Sequence, residues 1–296
     1  MGVAASDPLH ERYLSTFVHG LAKLGWIEGR NIVIERRSAA GLPELAHRFA
    51  AELVEIKPQL LVGHTTPPTA ALLSFTSTIP VVFVSVGDPL GDGFVASMNR
   101  PGRNVTGFSA FEATMGGKWL QLLNEFAPGA KRVAFMFNPD TAPNRGSYYM
   151  QTFEAATTSF AVEATAMRVR SVDDIHQAIS VLAANRDTGL VVMPEIFTSV
   201  HRDVIIEGVN RNRVPAIFPF RYFSTAGGLM SYGIDTVDLW RRAPSYVDQI
   251  LKGADPADLP VQQPTKFQFV LNLKTANTLG LKIPQSLIIQ ADEVIE

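Results

Sequence analysis

Cysteine is absent from the 296 residues, so disulfides, thiolate nucleophiles and thiolate-bound metals are excluded. Charge of one sign is equally scarce: the formal net charge is -2 and no block of like charge stands out. Binding nucleic acid calls for a basic face, so nucleic acid is not an expected partner. No apolar run approaches the roughly 20 residues that cross a bilayer. The opening Met1-Gly2-Val3-Ala4-Ala5-Ser6 shows no basic stretch followed by an apolar one, the pattern of a signal peptide. The six histidines contain no i, i+4 pair, which gives a metal site little support. A P-loop is missing, because Gly117-Lys118 runs into Trp119, and no G-x-S-x-G elbow surrounds Ser109 or Ser147.

What is present is apolar material in quantity, 46% of the chain, enough for one large core or two ordinary ones. Ile79-Pro80-Val81-Val82-Phe83-Val84-Ser85-Val86 is a β-branched run without polar alternation, closed by Gly87-Asp88-Pro89. Such a run suits a strand covered on both faces, as in a parallel sheet flanked by helices. Helical stripes precede it at Leu14, Phe17, Leu21 and Leu24, and at Leu45, Phe49, Leu53 and Ile56. Between and after them stand strand signals at Ile32-Val33-Ile34, Leu60-Leu61-Val62 and Val105-Thr106-Gly107-Phe108. Regular helix–strand alternation implies right-handed crossovers and a parallel sheet.

The rhythm then restarts. A helix around Trp119, Leu120, Leu123 and Phe126 stops at Pro128-Gly129. Strands at Val133–Phe137, Val162–Val169, Leu190–Met193 and Ala216–Phe218 alternate with helices near Ser147–Phe160 and Val172–Ala184. Gly227-Gly228-Leu229-Met230-Ser231-Tyr232-Gly233 reads as a second crossing, followed by a helix over about Val237–Leu251, the strand Phe267–Leu271 and a C-terminal helix. The expected division is discontinuous: residues 1–110 with about 233–264, and 111–232 with about 265–296.

Ligands of open α/β sheets bind outside the carboxyl ends of the strands. Candidates there are Ser6, Asp7, Thr65, Thr66, Asp88 and Ser109 in the first unit, and Asn138, Asn144, Glu195, Phe197, Arg221 and Tyr232 in the second. Helix N-termini after Ser6-Asp7 and Thr65-Thr66 suit a carboxylate, or are ordinary caps. Asp88 and Glu195 either meet a ligand ammonium or cap the turns that follow. Asn138, Asp140 and Asn144 lie in a loop whose Pro and Asn content favours turns. Arg221 presents a bidentate fork to a ligand carboxylate or forms an ordinary ion pair. Phe197 and Tyr232 line an apolar slot or pack in the core. Gly91-Asp92-Gly93-Phe94-Val95-Ala96 fits a dinucleotide pattern in form only, since Gly87-Asp88-Pro89 separates it from its strand.

Several longer segments carry a resemblance. Ile79–Phe83 with Gly87-Asp88-Pro89, Asn99–Gly107, Gly227–Gly233, Asp258–Phe267 and Ala291–Ile295 together resemble the solute-binding components of ABC-type uptake systems, in the group that includes tryptophan and other aromatic amino-acid binders. The resemblance covers essentially the whole chain. It implies two Rossmann-like α/β lobes with parallel sheets joined by a hinge, similar to type I periplasmic binding proteins. It further implies capture of a small solute, such as an amino acid or aromatic carboxylate, and its delivery to a membrane permease. No catalysis and no cofactor follow from it, and the architecture implies a monomer. It also implies a periplasmic or cell-surface location, an export or lipoprotein signal, and a first β-strand ahead of Ala4-Ala5-Ser6-Asp7, where this sequence has only Met1-Gly2-Val3. Without an export signal the location would be cytoplasmic. A missing central strand would leave a slot with unpaired backbone groups on two neighbours. The other readings are a cytosolic ligand-sensing module of the same fold and a nucleotide-dependent α/β enzyme.

Overall fold

A computed structural model describes residues 8–185 and 187–296. The first elements are α1 (Pro8–Lys23), α2 (Pro43–Glu55), β1 (Leu61–His64), α3 (Thr66–Phe75), β2 (Val81–Val86) and β3 (Val105–Ser109). Next come α4 (Met115–Phe126), β4 (Arg132–Phe137), α5 (Ser147–Phe160), β5 (Glu163–Arg168), α6 (Val172–Ala183) and β6 (Thr188–Val192). Then follow α7 (Ile196–Val200), α8 (Arg202–Arg211), β7 (Ala216–Phe218), α9 (Arg221–Thr225) and β8 (Met230–Ile234). The chain closes with α10 (Thr236–Leu251), β9 (Phe267–Asn272), α11 (Leu273–Leu279), α12 (Gln285–Gln290) and β10 (Glu293–Ile295). Two compact units result: Met1–Phe111 with Thr236–Thr265, and Glu112–Asp235 with Lys266–Glu296. No described helix is long and apolar enough to cross a membrane.

The first unit carries the parallel sheet β1-β2-β3. Its middle strand is the β-branched run, and Val81, Val82, Phe83 and Val84 are wholly buried. Val81 and Phe83 pack with Ala46, Ala50 and Leu72 of α2 and α3. Strand alternation turns Val82 and Val84 the other way. There α10 packs on β2 and β3, and α1 packs on α10. Trp240 of α10 stacks on Tyr13 at 5.8 Å and meets Phe17 edge-on at 5.7 Å. The two helices cross closely because Gly20 has no side chain: a Cβ there would lie 2.6 Å from Cγ of Pro244. The segment before Gln262 runs along β3, with Gln262 N donating to Gly107 O at 2.8 Å and Ser109 N to Gln262 O at 2.9 Å.

Ile32-Val33-Ile34, expected as a strand, is extended but unladdered. Its one bridge joins Ile32 to Glu28, and Val33 is 79% exposed. A strand exists only through its neighbours' hydrogen bonds, and none of the described residues supplies them here. Two residues of the helical stripes also differ from expectation. Leu24 (41%) and Ile56 (53%) are exposed, because each stands just beyond its helix end.

The second unit holds a seven-stranded sheet in the order β10-β9-β8-β7-β6-β4-β5. All neighbours are parallel except β8 and β9, which are antiparallel. The sheet is therefore mixed rather than purely parallel. Trp119 of α4 is fully buried and donates its indole N–H to Tyr232 O at 2.7 Å. Gly116 lets α4 lie close on α5, since a Cβ would be 2.3 Å from Tyr149 O. The expected C-terminal helix is two short ones. Gly280 ends α11 in the left-handed conformation (φ 70), Pro284 caps α12, and the last residues form β10.

Candidate functional site

In the first unit, the carboxyl ends of β1, β2 and β3 gather His64-Thr65-Thr66, Gly87-Asp88-Pro89 and Ser109. Ser6 and Asp7 lie outside the described residues. Thr65 caps α3 in a conformation that is essentially reserved for glycine (φ 67, ψ 171). Its amide donates to Val84 O at 2.9 Å, while its side-chain Oγ1 is buried and has no partner among the described residues. Pro67 and Pro68 have no N–H, so two of the helix's usual orphan donors are missing. Thr66 N–H is what the α3 terminus has left to offer an anion, a narrower donor set than the sequence pattern implies. The strained threonine with its idle hydroxyl is the stronger sign of a binding position. Replacing Thr65 with Gly should relieve about 1 kcal/mol net of backbone strain while weakening ligand affinity. Urea denaturation and a ligand titration on one preparation check both signs; a loss of stability would refute the strain.

Ser85 takes a positive φ of 64 and shifts the β2–β3 register between Val84 and Val86. The bulge re-aims the chain just before Asp88. One oxygen of Asp88 accepts from Gly91 N at 2.8 Å, which is the turn-capping role. Ser109 Oγ donates to Gln262 O at 3.3 Å and is 3% exposed, so its hydroxyl is engaged within the unit. His64 is buried against Tyr13 (5.7 Å) and Trp240 (5.2 Å). Burial, with His10 adding to it, drives its imidazolium down to about 3, so the ring is neutral and serves as packing.

In the second unit, the same ends of β4 and β6 bring together two loops. Glu195 is 8% exposed and joins them. Its Oε2 accepts from Thr141 Oγ1 at 2.6 Å and Phe197 N at 2.6 Å. Its Oε1 accepts from Thr198 N at 2.9 Å and Asn138 N at 3.4 Å. The carboxylate therefore caps α7 and pins the 138–142 turn to it. Burial raises its pKa to about 7, against the pull of these four hydrogen bonds. Neither oxygen is left over for a ligand ammonium at close range. Asn138 is likewise engaged: its Oδ1 accepts from Asp140 N at 2.9 Å. Asn144 differs. Its backbone is left-handed (φ 45, ψ 45) and its side chain is exposed. Phe197 is half-buried and meets His201 edge-on at 4.4 Å.

The Arg221 fork is occupied. Nε and Nη2 donate to the two carboxylate oxygens of Glu293, each at 2.6 Å, joining α9 to β10 within one unit. That ion pair takes the geometry a ligand carboxylate would need, and it could be read only once β10 was placed. Tyr232 stands on β8 between Phe267 (6.1 Å) and Phe269 (6.2 Å), with Lys118 Nζ 5.7 Å from its ring centre. Burial and then Asp292 hold its phenol above the usual range. Thr141 and Ser85 help to shape these ends without being candidates from sequence. A threonine hydroxyl in a Pro-rich loop and a left-handed serine inside a β run give no signal until their partners are known. Among the described residues no group of His, Asp and Glu could hold a metal ion.

Comparison with known proteins reaches the whole chain. The sequence model of the family described as "ABC transporter substrate binding protein" matches residues 3–295. A tyrosine-binding protein of Clostridioides difficile (strain R20291) is 25% identical over 266 residues, covering 90% of this chain and 76% of that protein. A conserved domain protein from Vibrio cholerae superposes with a TM-score of 0.91 at 26% identity, over 99% of this chain and 97% of the other. The ABC domain in complex with L-Trp from Streptococcus pneumonia gives 0.90 at 25% identity, over 99% and 98%. The α/β architecture and the full-length match agree, and the chain belongs to the ABC transporter substrate-binding protein family.

Proposed function

We propose that this protein binds an aromatic L-amino acid, tyrosine or tryptophan, and delivers it unchanged to an ABC permease outside the cytoplasm, working as a monomer. The observation that carries this reading is the similarity, over 99% of the chain, to a solved relative holding L-Trp. The tyrosine-binding relative supports the same ligand class. The chemistry of the strand ends is compatible with it. Thr65 Oγ1 and Thr66 N–H are donors suited to a carboxylate, and the Asp88 oxygen that does not accept from Gly91 suits an ammonium.

Calorimetric titration of the ligand-stripped chain with L-Trp, L-Tyr, L-Phe, a sugar and a nicotinamide dinucleotide tests the proposal. An aromatic amino acid should bind at roughly micromolar Kd or tighter, about -8 kcal/mol, and leave the cell chemically unaltered. Binding of the dinucleotide or the sugar alone, or any turnover of the amino acid, would overturn it.

A further inference from the structure

The first unit also has a concave surface along its helices, reaching at one end Phe108 and Gln262 beside Ser109. It is a groove of about 760 Å³ between one flank of α1 and the side of α10. Along α1 it is lined by Arg12, Thr16, His19 and Lys23, spaced four, three and four, so they form one stripe. From α10 come Arg241 and Arg242. The lining holds three arginines, a lysine and a histidine and no aspartate or glutamate, on a chain whose formal net charge is -2. Arg12, His19 and Lys23 are exposed and form no ion pair among the described residues. Arg241 is held by Asp238 at 2.7 Å behind the groove, and Arg242 reaches Gln262 Oε1 at 3.1 Å over the ring of Phe108. The floor is rigid where Gly20 meets Pro244. Basic side chains carried on helices along a groove that no aspartate or glutamate lines are placed to receive negative charge from outside.

Length decides which kind of anion. The α1 stripe from Arg12 to Lys23 extends about 16 Å at 1.5 Å per residue. An extended polypeptide of roughly five or six residues covers that distance, whereas a single amino acid or phosphate covers a fraction of it. We propose that the groove between α1 and α10 docks an extended, carboxylate-rich segment of a protein partner, with Arg12, His19 and Lys23 as the first points of contact. The proposal stands whether or not the solute is an aromatic amino acid.

The test is fluorescence anisotropy of the full chain with a labelled glutamate-rich heptapeptide and its glutamine counterpart, with inorganic phosphate and phosphatidylglycerol vesicles as separate arms. The acidic peptide should bind, weaken as salt rises, and lose at least about tenfold in affinity in the Arg12→Glu, Lys23→Glu double variant. The milder Arg12→Gln, Lys23→Gln pair should fall between, with unchanged thermal melting as the folding control. Equal binding of the glutamine peptide, binding of phosphate or vesicles without the peptide, or an affinity indifferent to both variants would overturn the assignment.

Discussion

Raising the pH from 4.5 to about 7.5 should cost this protein roughly 3 kcal/mol of stability through Glu195 alone. The folded carboxyl keeps its proton up to about 7, while an ordinary glutamate lets go near 4.5. The native state therefore holds this proton more tightly than the unfolded chain. The resulting stabilisation is complete below about 4.5, fades as pH rises, and is gone above about 7. Protonation needs an acceptor for the new O–H, and the Thr141 hydroxyl 2.6 Å away can turn to provide one. Glu195→Gln removes the titration but leaves Phe197 N–H facing an amide NH2 if the other oxygen keeps Thr198 N. The variant should thus be less stable at acid pH yet lack this part of the slope. Urea denaturation of both proteins from pH 4.5 to 8 isolates the effect as the difference between two curves. Parallel curves would mean that the carboxylate is ionised throughout.

The second large effect is expected at Gly107. It sits opposite Phe83 in the β2–β3 ladder, and a Cβ would lie 2.0 Å from the Phe83 carbonyl oxygen and 2.7 Å from its nitrogen. Backbone cannot retreat as a flexible side chain does, so Gly107→Ala has to break the pairing of the central strand. A loss above about 4 kcal/mol is the expected result, in the range reserved for ruptured cores and ladders. Gly129→Ala, with nothing within 4 Å of the added carbon, is the matched control. If the two variants denature at the same urea concentration, strands β2 and β3 are not paired as described.

How far the sequence foretold this follows from where the information lies. β2 was legible because burial on both faces writes itself as an unbroken apolar run. α1 and α2 were legible because their apolar stripes repeat at helical spacing. Ile32–Ile34 misled for the opposite reason: its residues have strand propensity, but a ladder needs a neighbour and propensity does not create one. β10 was missed because three residues carry no period of their own; its place comes from β9 and from Arg221. The strand-end loops were found by the rule of where parallel strands finish. Roles within them were not, since Glu195 as keystone and Arg221 as half of an ion pair depend on residues 54 and 72 positions away.

The boundaries at 111/112, 235/236 and 265/266 bear on how the chain is made. Neither unit is a continuous stretch of sequence. Residues 1–111 leave the ribosome without Trp240, which Tyr13, Phe17 and His64 surround, so the nascent first half exposes an aromatic face until α10 emerges. Residues 112–235 in turn wait for β9, the antiparallel partner of β8. Each half therefore matures only once the later stretch that completes it, α10 for the first and β9 for the second, has been made.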